Sequence, residues 1–208
     1  MPYNREVMGT RFLLALLLAA PSWADEASAP AGSGLSWAQA QSLGQKLEAI
    51  EKRNQAGRPR RPETVLVTEA EVNSYLNLTY APQMPPGVTD LDVRFEYERI
   101  HAKGLVDLER VRGKVPPPSP WSPLAFLRGR VPVELKGRLL TRDGFGTIEV
   151  EEAWIASLPI PMSFLEQIVT SATKKPSSPE GFDIHAPFRL PYAVNRVRLE
   201  ATRAFLDF

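Results

Sequence analysis

The chain has no cysteine and only two histidines among 208 residues. The missing cysteine excludes disulfides, thiolate metal sites, a Cys nucleophile and a lipidated Cys anchor. Two histidines leave little for a metal centre or a catalytic dyad. An excess of one charge is also missing. Lys and Arg number 25 against 24 Asp and Glu, a net charge of +1. This excludes a strongly basic nucleic-acid binder and an acidic-tail protein. After residue 20 no stretch approaches the roughly 18 apolar residues of a membrane span. No Gly-x-Ser-x-Gly occurs. Gly144-Phe145-Gly146 lacks the third glycine of a phosphate cradle and sits in a hairpin signal.

Residues 1–24 read as a secretory signal. Arg5 and Arg11 give the positive start, and residues 12–20 form an apolar core. Ser22 and Ala24 supply the small residues of a cleavage site before Asp25. Nine residues reach only ~14 Å as a helix, about half a bilayer core, which favours a cleaved signal over an anchor. Cleavage after Ala24 and a periplasmic or secreted location are therefore expected. The signal carries Arg5 and Arg11 against Glu6, so the mature chain has net charge 0. It exerts no long-range pull on DNA or on an anionic membrane.

The mature chain divides into a disordered segment (25–34), a helix with a basic Pro linker (35–62) and one α+β domain (63–208). Ser36 and Gln39 begin the first helix, with Ala40, Leu43, Leu47 and Ile50 on one face and Trp37 near the same side. Gly57 ends it, and Arg58-Pro59-Arg60-Arg61-Pro62 follows as a solvated linker. Val65-Leu66-Val67 reads as a short buried strand. Thr68 and Glu71 form a capping box for a helix to about Tyr80. The triplet Asn77-Leu78-Thr79 falls inside that helix and is discounted as a glycosylation site.

From Val88 the period becomes two. Leu91, Val93, Phe95 and Tyr97 alternate with charged residues. A tight Glu98-Arg99 turn leads to Ile100, Ala102, Gly104, Val106 and Leu108. A second hairpin joins Val131–Leu139 to Ile148–Trp154 through Asp143-Gly144. After a helix from about Met162 to Ala172, a third joins Phe182–Leu190 to Val194–Ala201. The expected fold is a long, strongly curved antiparallel sheet of about six strands, wrapped on one or two amphipathic helices.

Between the first two hairpins, Pro116, Pro117, Pro118, Pro120 and Pro123 surround Trp121, Leu124, Phe126 and Leu127. This apolar loop reads either as a lid over a core edge or as a surface touching a partner or a membrane. His101 and His185 each fall between apolar strand positions and should face outward. Asp90, Asp92, Glu96 and Glu98 read as a charged sheet face rather than acid–base pairs.

Three segments carry a resemblance. They are Val67–Leu76, Leu158-Pro159-Ile160-Pro161 leading into Phe164-Leu165, and Pro187–Pro191. In that order, separated by hairpins, they resemble uncharacterised exported bacterial proteins that look like tubular lipid-binding (TULIP-like) domains. The resemblance covers roughly residues 63–208. It implies a sheet wrapped around a helix with an apolar seam for acyl chains, and no catalytic set.

The residue pattern itself places Leu91, Val93, Phe95, Val106, Val133, Leu135, Ile148 and Val150 on one apolar face, as an open groove or as a filled core. A lipid or other apolar ligand is the expected partner, with no cofactor, no metal, no nucleic acid and no membrane span after signal removal. An envelope assembly module contacting a protein partner is the alternative. A hydrolase with a scattered site, to be tested by replacing His101 and His185, is a third reading.

Overall fold

Backbone pairing in the computed structural model is antiparallel throughout, in two sheets. The structure describes residues 34–55, 62–84, 87–111, 126–173 and 179–208. The signal segment, the linker at 56–61, and Trp121 and Leu124 lie outside them.

Helix α1 is Trp37–Gln55 and buries Ala40, Leu43, Leu47 and Ile50, as the spacing predicts. Trp37 is not on the buried side: it is 61% exposed. Strand β1 (Thr64–Thr68) runs directly into helix α2 (Glu69–Ser74), and the two halves of the capping box are both made. The helix continues as a π-turn over Tyr75–Thr79, closed by the Tyr80 amide donating to the Tyr75 carbonyl at 2.8 Å.

Glu71 is 4% exposed yet charged. It accepts from Ser42 Oγ at 2.5 Å, from Lys46 Nζ at 2.6 and 2.8 Å, and from the Thr68 amide at 2.9 Å. Burial pushes its pKa up. The bonds from Lys46, Ser42 and Thr68 outweigh burial and hold the carboxyl below its ordinary value. This one carboxylate fastens α1, β1 and α2 together.

The larger sheet contains β2 (Val88–Glu96), β3 (Arg99–Asp107), β4 (Arg130–Arg142), β5 (Phe145–Ile155) and β6 (Leu158–Pro159) in that order, and β7 (Phe188–Arg189) pairs with the start of β5. A one-turn helix α3 (Leu108–Val111) follows β3, and α4 (Met162–Thr173) follows β6. The β2–β3 turn is Tyr97-Glu98, because Glu96 pairs with Arg99 and Glu98 takes a φ of 57°. It therefore lies one residue earlier than the alternation suggests, and Tyr97 is 74% exposed.

The third hairpin differs more. Phe182–Pro187 form no strand, and β8 (Arg196–Glu200) pairs instead with β9 (Arg203–Asp207). Together with β1 they make a separate sheet in the order β1-β9-β8. The apolar alternation at 182–190 has a different origin. Ile184 is buried in one core and Leu190 in the other, with Pro187 between them. Within β1 only Val67 is buried, and Leu66 is 39% exposed.

The two sheets are stitched by single groups. Thr141 Oγ1 donates to the Val197 carbonyl and accepts from its amide, each at 2.8 Å. The Glu98 amide donates to Leu199, and the Thr202 amide to Phe95. Two apolar cores result. The first gathers α1, α2, β2 and the small sheet around Leu76 and Val93. The second gathers the far ends of β4 and β5 with α4 around Val169.

Candidate functional site

Register puts the eight groove candidates on one face. Ala102 lies opposite Val93 and Leu135, Gly104 opposite Val133, and Val106 opposite Val88 and Val131. On the other side of β4, Leu135 faces Ala153, Gly137 faces Val150 and Leu139 faces Ile148, with a bulge after Lys136.

Their burial divides them. Leu91, Val93 and Phe95 are 7%, 0% and 4% exposed in the first core. They are packing residues and offer a ligand almost no surface. Val106, Val133, Leu135, Ile148 and Val150 are half-buried. Ile148 packs against the first core, and Val133, Leu135 and Val150 against the second. These five form a strip between two closed cores.

The glycines on this face are filled from within. A Cβ on Gly104 would meet Leu91 Cδ2 at 2.8 Å, and one on Gly146 would meet the Phe188 ring at 2.7 Å. The protein's own side chains use these two depressions.

One border of the face is β2, an edge strand whose outward backbone groups need partners. Helix α2 and the π-turn that continues it supply them with side chains. Asn73 Nδ2 donates to the Val93 carbonyl at 2.9 Å, and its Oδ1 accepts from the Val93 amide at 2.7 Å. Asn77 does the same to Leu91, at 2.7 and 3.0 Å. Glu69 accepts from the Phe95 amide at 2.5 Å. Four helical residues rise ~6.0 Å and two strand residues ~6.8 Å, so the two repeats nearly match. Asn77 is thereby committed to the fold. Sequence reasoning missed this ladder; its signal is the spacing Glu69, Asn73, Asn77, polar at every fourth position.

The opposite face is a lattice of cross-strand ion pairs. Arg99 pairs with Glu151, Lys103 with Glu134, Lys136 with Glu152, and Arg138 with Glu98. Lys136 also lies 5.0 Å above the Trp154 ring. His101 faces outward, as its position predicts, and bonds Glu134 at 2.6 Å. Burial raises the pKa of Glu134, but the His101 and Lys103 bonds dominate and lower it.

His185 stands on a turn rather than a strand. Its ring bonds Glu166 of α4 at 2.8 Å. It belongs to the helix-covered side of the sheet, so the structure does not bring the two histidines together. Among the described residues, no group of three His, Asp or Glu could hold a metal ion. No helix among them is long and apolar enough to cross a membrane.

Of the loop candidates, Phe126 is 78% exposed, while Leu127 packs against the second core. No family model, no curated protein and no solved structure matches the chain.

Proposed function

We propose that the protein binds a single apolar chain, such as an acyl tail, along the strip of Val106, Val133, Leu135, Ile148 and Val150, and performs no covalent chemistry. The observation that carries this reading is the position of those residues: they stay half-buried on adjacent strands while both flanking cores are closed. A sheet strongly curved around its helices turns the strip into a trough, and the resemblance to tubular lipid-binding domains agrees with it. Each buried methylene contributes about 0.8 kcal/mol, so ~10 of them give ~8 kcal/mol before ordering costs. That corresponds to micromolar binding at best, which suits a carrier that loads and unloads in an exported, lipid-rich setting.

The test is solvent extraction of the purified protein followed by mass spectrometry, together with uptake of a fluorescent fatty acid. Bound lipid or saturable uptake is expected, with uptake lost in Leu135→Glu. Empty protein that takes up no probe overturns the reading.

One observation favours a second reading, an envelope interaction module. Phe126 stands almost fully exposed beside the anchored Leu127. In that case Phe126→Ser abolishes partner recovery in a pull-down and leaves fatty-acid uptake intact.

A further inference from the structure

The β4–β5 hairpin end carries a feature that lipid carriage does not require. β4 runs four residues, 139–142, past its last pair with β3 at Arg138. The turn Asp143-Gly144 takes φ values of 50° and 80°. It is held by two backbone bonds of 2.8 Å: the Gly144 amide donates to the Asn195 carbonyl, and the Leu190 amide to the Gly144 carbonyl.

Around this clamped end stand Arg142, Phe145, Arg189 and Arg196. The Arg142 side chain is 92% exposed. Phe145 is 47% exposed, with the Arg189 guanidinium 5.7 Å from its ring centroid. Arg196 follows Asn195 and is exposed. Anions nearby are few. Asp143 lies 3.7 Å from Arg142, and Asp207, opposite Arg196, is already bonded by Arg198 and Thr64. Among the described residues, neither Arg189 nor Arg196 has a carboxylate within ion-pair distance, although the Arg196 charge is felt by Asp207.

We infer that this end docks on an anionic phospholipid surface, with Phe145 entering the headgroup boundary and the guanidiniums of Arg142, Arg189 and Arg196 taking lipid phosphates. Three cations brought together from separate chain segments suit a plane of phosphates, and an exposed ring among them suits the apolar layer just beneath. The attraction is local, since the mature chain is neutral and salt screens it within about 10 Å. The inference stands apart from ligand carriage: a protein with an empty strip would still dock.

The test is co-sedimentation of the purified full chain with vesicles of phosphatidylglycerol and phosphatidylcholine, against phosphatidylcholine alone. Binding is expected only to the anionic vesicles and should fall as salt rises from 50 to 500 mM. Arg189→Glu and Arg196→Glu should each weaken partitioning about fivefold or more. Phe145→Ser should weaken it too, and Arg94→Glu, on strand β2 away from this hairpin end and paired with Asp92, should not. Equal binding to both vesicle types, or full binding by the Arg189→Glu/Arg196→Glu double variant, overturns the inference. So does failure to bind vesicles alongside capture by soluble polyglutamate, which would assign the site to an acidic protein.

Discussion

Asn73 replaces a strand for Val93: one amide side chain meets both the carbonyl, at 2.9 Å, and the amide, at 2.7 Å, that an edge residue leaves bare. With Asn77 and Glu69 it makes the helix and its π-turn the neighbour that β2 lacks on its outer edge, and so closes an edge that would otherwise template association.

Removing this ladder has two separable effects. Asn73→Ala orphans two buried backbone groups and should cost about 2–3 kcal/mol, and Asn73→Asp about half of that, because the acceptor remains. Denaturant unfolding measures the loss. The Asn73→Ala/Asn77→Ala double variant should also self-associate, seen as a rise in scattering mass with concentration. A monomer of unchanged stability contradicts the ladder's role.

Acid should loosen α1 from α2. The folded-state pKa of Glu71 lies below its unfolded value, so its contribution to stability is present above the unfolded pKa and is lost as pH falls through the folded one. Asp207 acts in the same direction, its pKa lowered chiefly by Arg198. Glu71→Gln should therefore cost about 2 kcal/mol at pH 7 and flatten part, not all, of the acid limb of a stability–pH profile. A variant that keeps the wild-type slope below pH 5 refutes this.

The His185–Glu166 pair works in the opposite sense. The bond to Glu166 is the main cause that raises the His185 pKa. Its stabilisation is full below the unfolded pKa and disappears as pH rises through the folded one. Glu166→Gln should bring the His185 titration down in a proton NMR experiment. An unmoved midpoint would show that the pair does not hold in solution.

Two glycines should respond unequally to a methyl group. On Gly104 it meets the flexible tip of Leu91 at 2.8 Å; on Gly137 it meets the Glu149 backbone carbonyl at 2.6 Å. Gly104→Ala should cost about 1–2 kcal/mol, and Leu91→Ala in the same chain should relieve the clash while adding its own cavity. Gly137→Ala should cost about 3 kcal/mol or more, since backbone cannot rotate away. Thermal melts of the two single variants rank them.

Core and strip also separate by measurement. Val93→Ala should lower stability by about 2–3 kcal/mol and leave fatty-acid uptake at wild-type level, because Val93 is fully enclosed. Val133→Ala should do the reverse, reducing uptake at a smaller stability cost.

Local patterns were the legible part of this fold. The stripe of α1, the capping box at Thr68, the first two hairpins and the Asp143-Gly144 turn all depend on residues close in sequence, and they appear where their spacing puts them, save that the first hairpin turns one residue early. Partner choice was not legible. Alternation from Phe182 to Leu190 looks like a strand, but the pattern does not reveal that consecutive apolar residues serve two different cores. Nor does it reveal that β9 pairs with β1 on one side and β8 on the other, because nothing local encodes a contact across so much chain. The groove candidates suffered the same ambiguity: a period of two identifies the inner face but not which of its residues another element covers. Leu91, Val93 and Phe95 are covered by a helix whose docking depends on Asn73 and Asn77, a long-range fit.

The small sheet has a consequence for how the molecule is made. Thr64 and Asp207 bond side chain to side chain at 2.7 Å, and their strands are neighbours. Helix α2, which guards the edge of β2, hangs from the first of those strands, and the second lies at the far end of the chain. During synthesis β1 thus waits for a partner 143 positions later in the chain. Until then β1, and the helix that hangs from it, lack this anchor, and a truncation after Glu200 would make the loss permanent.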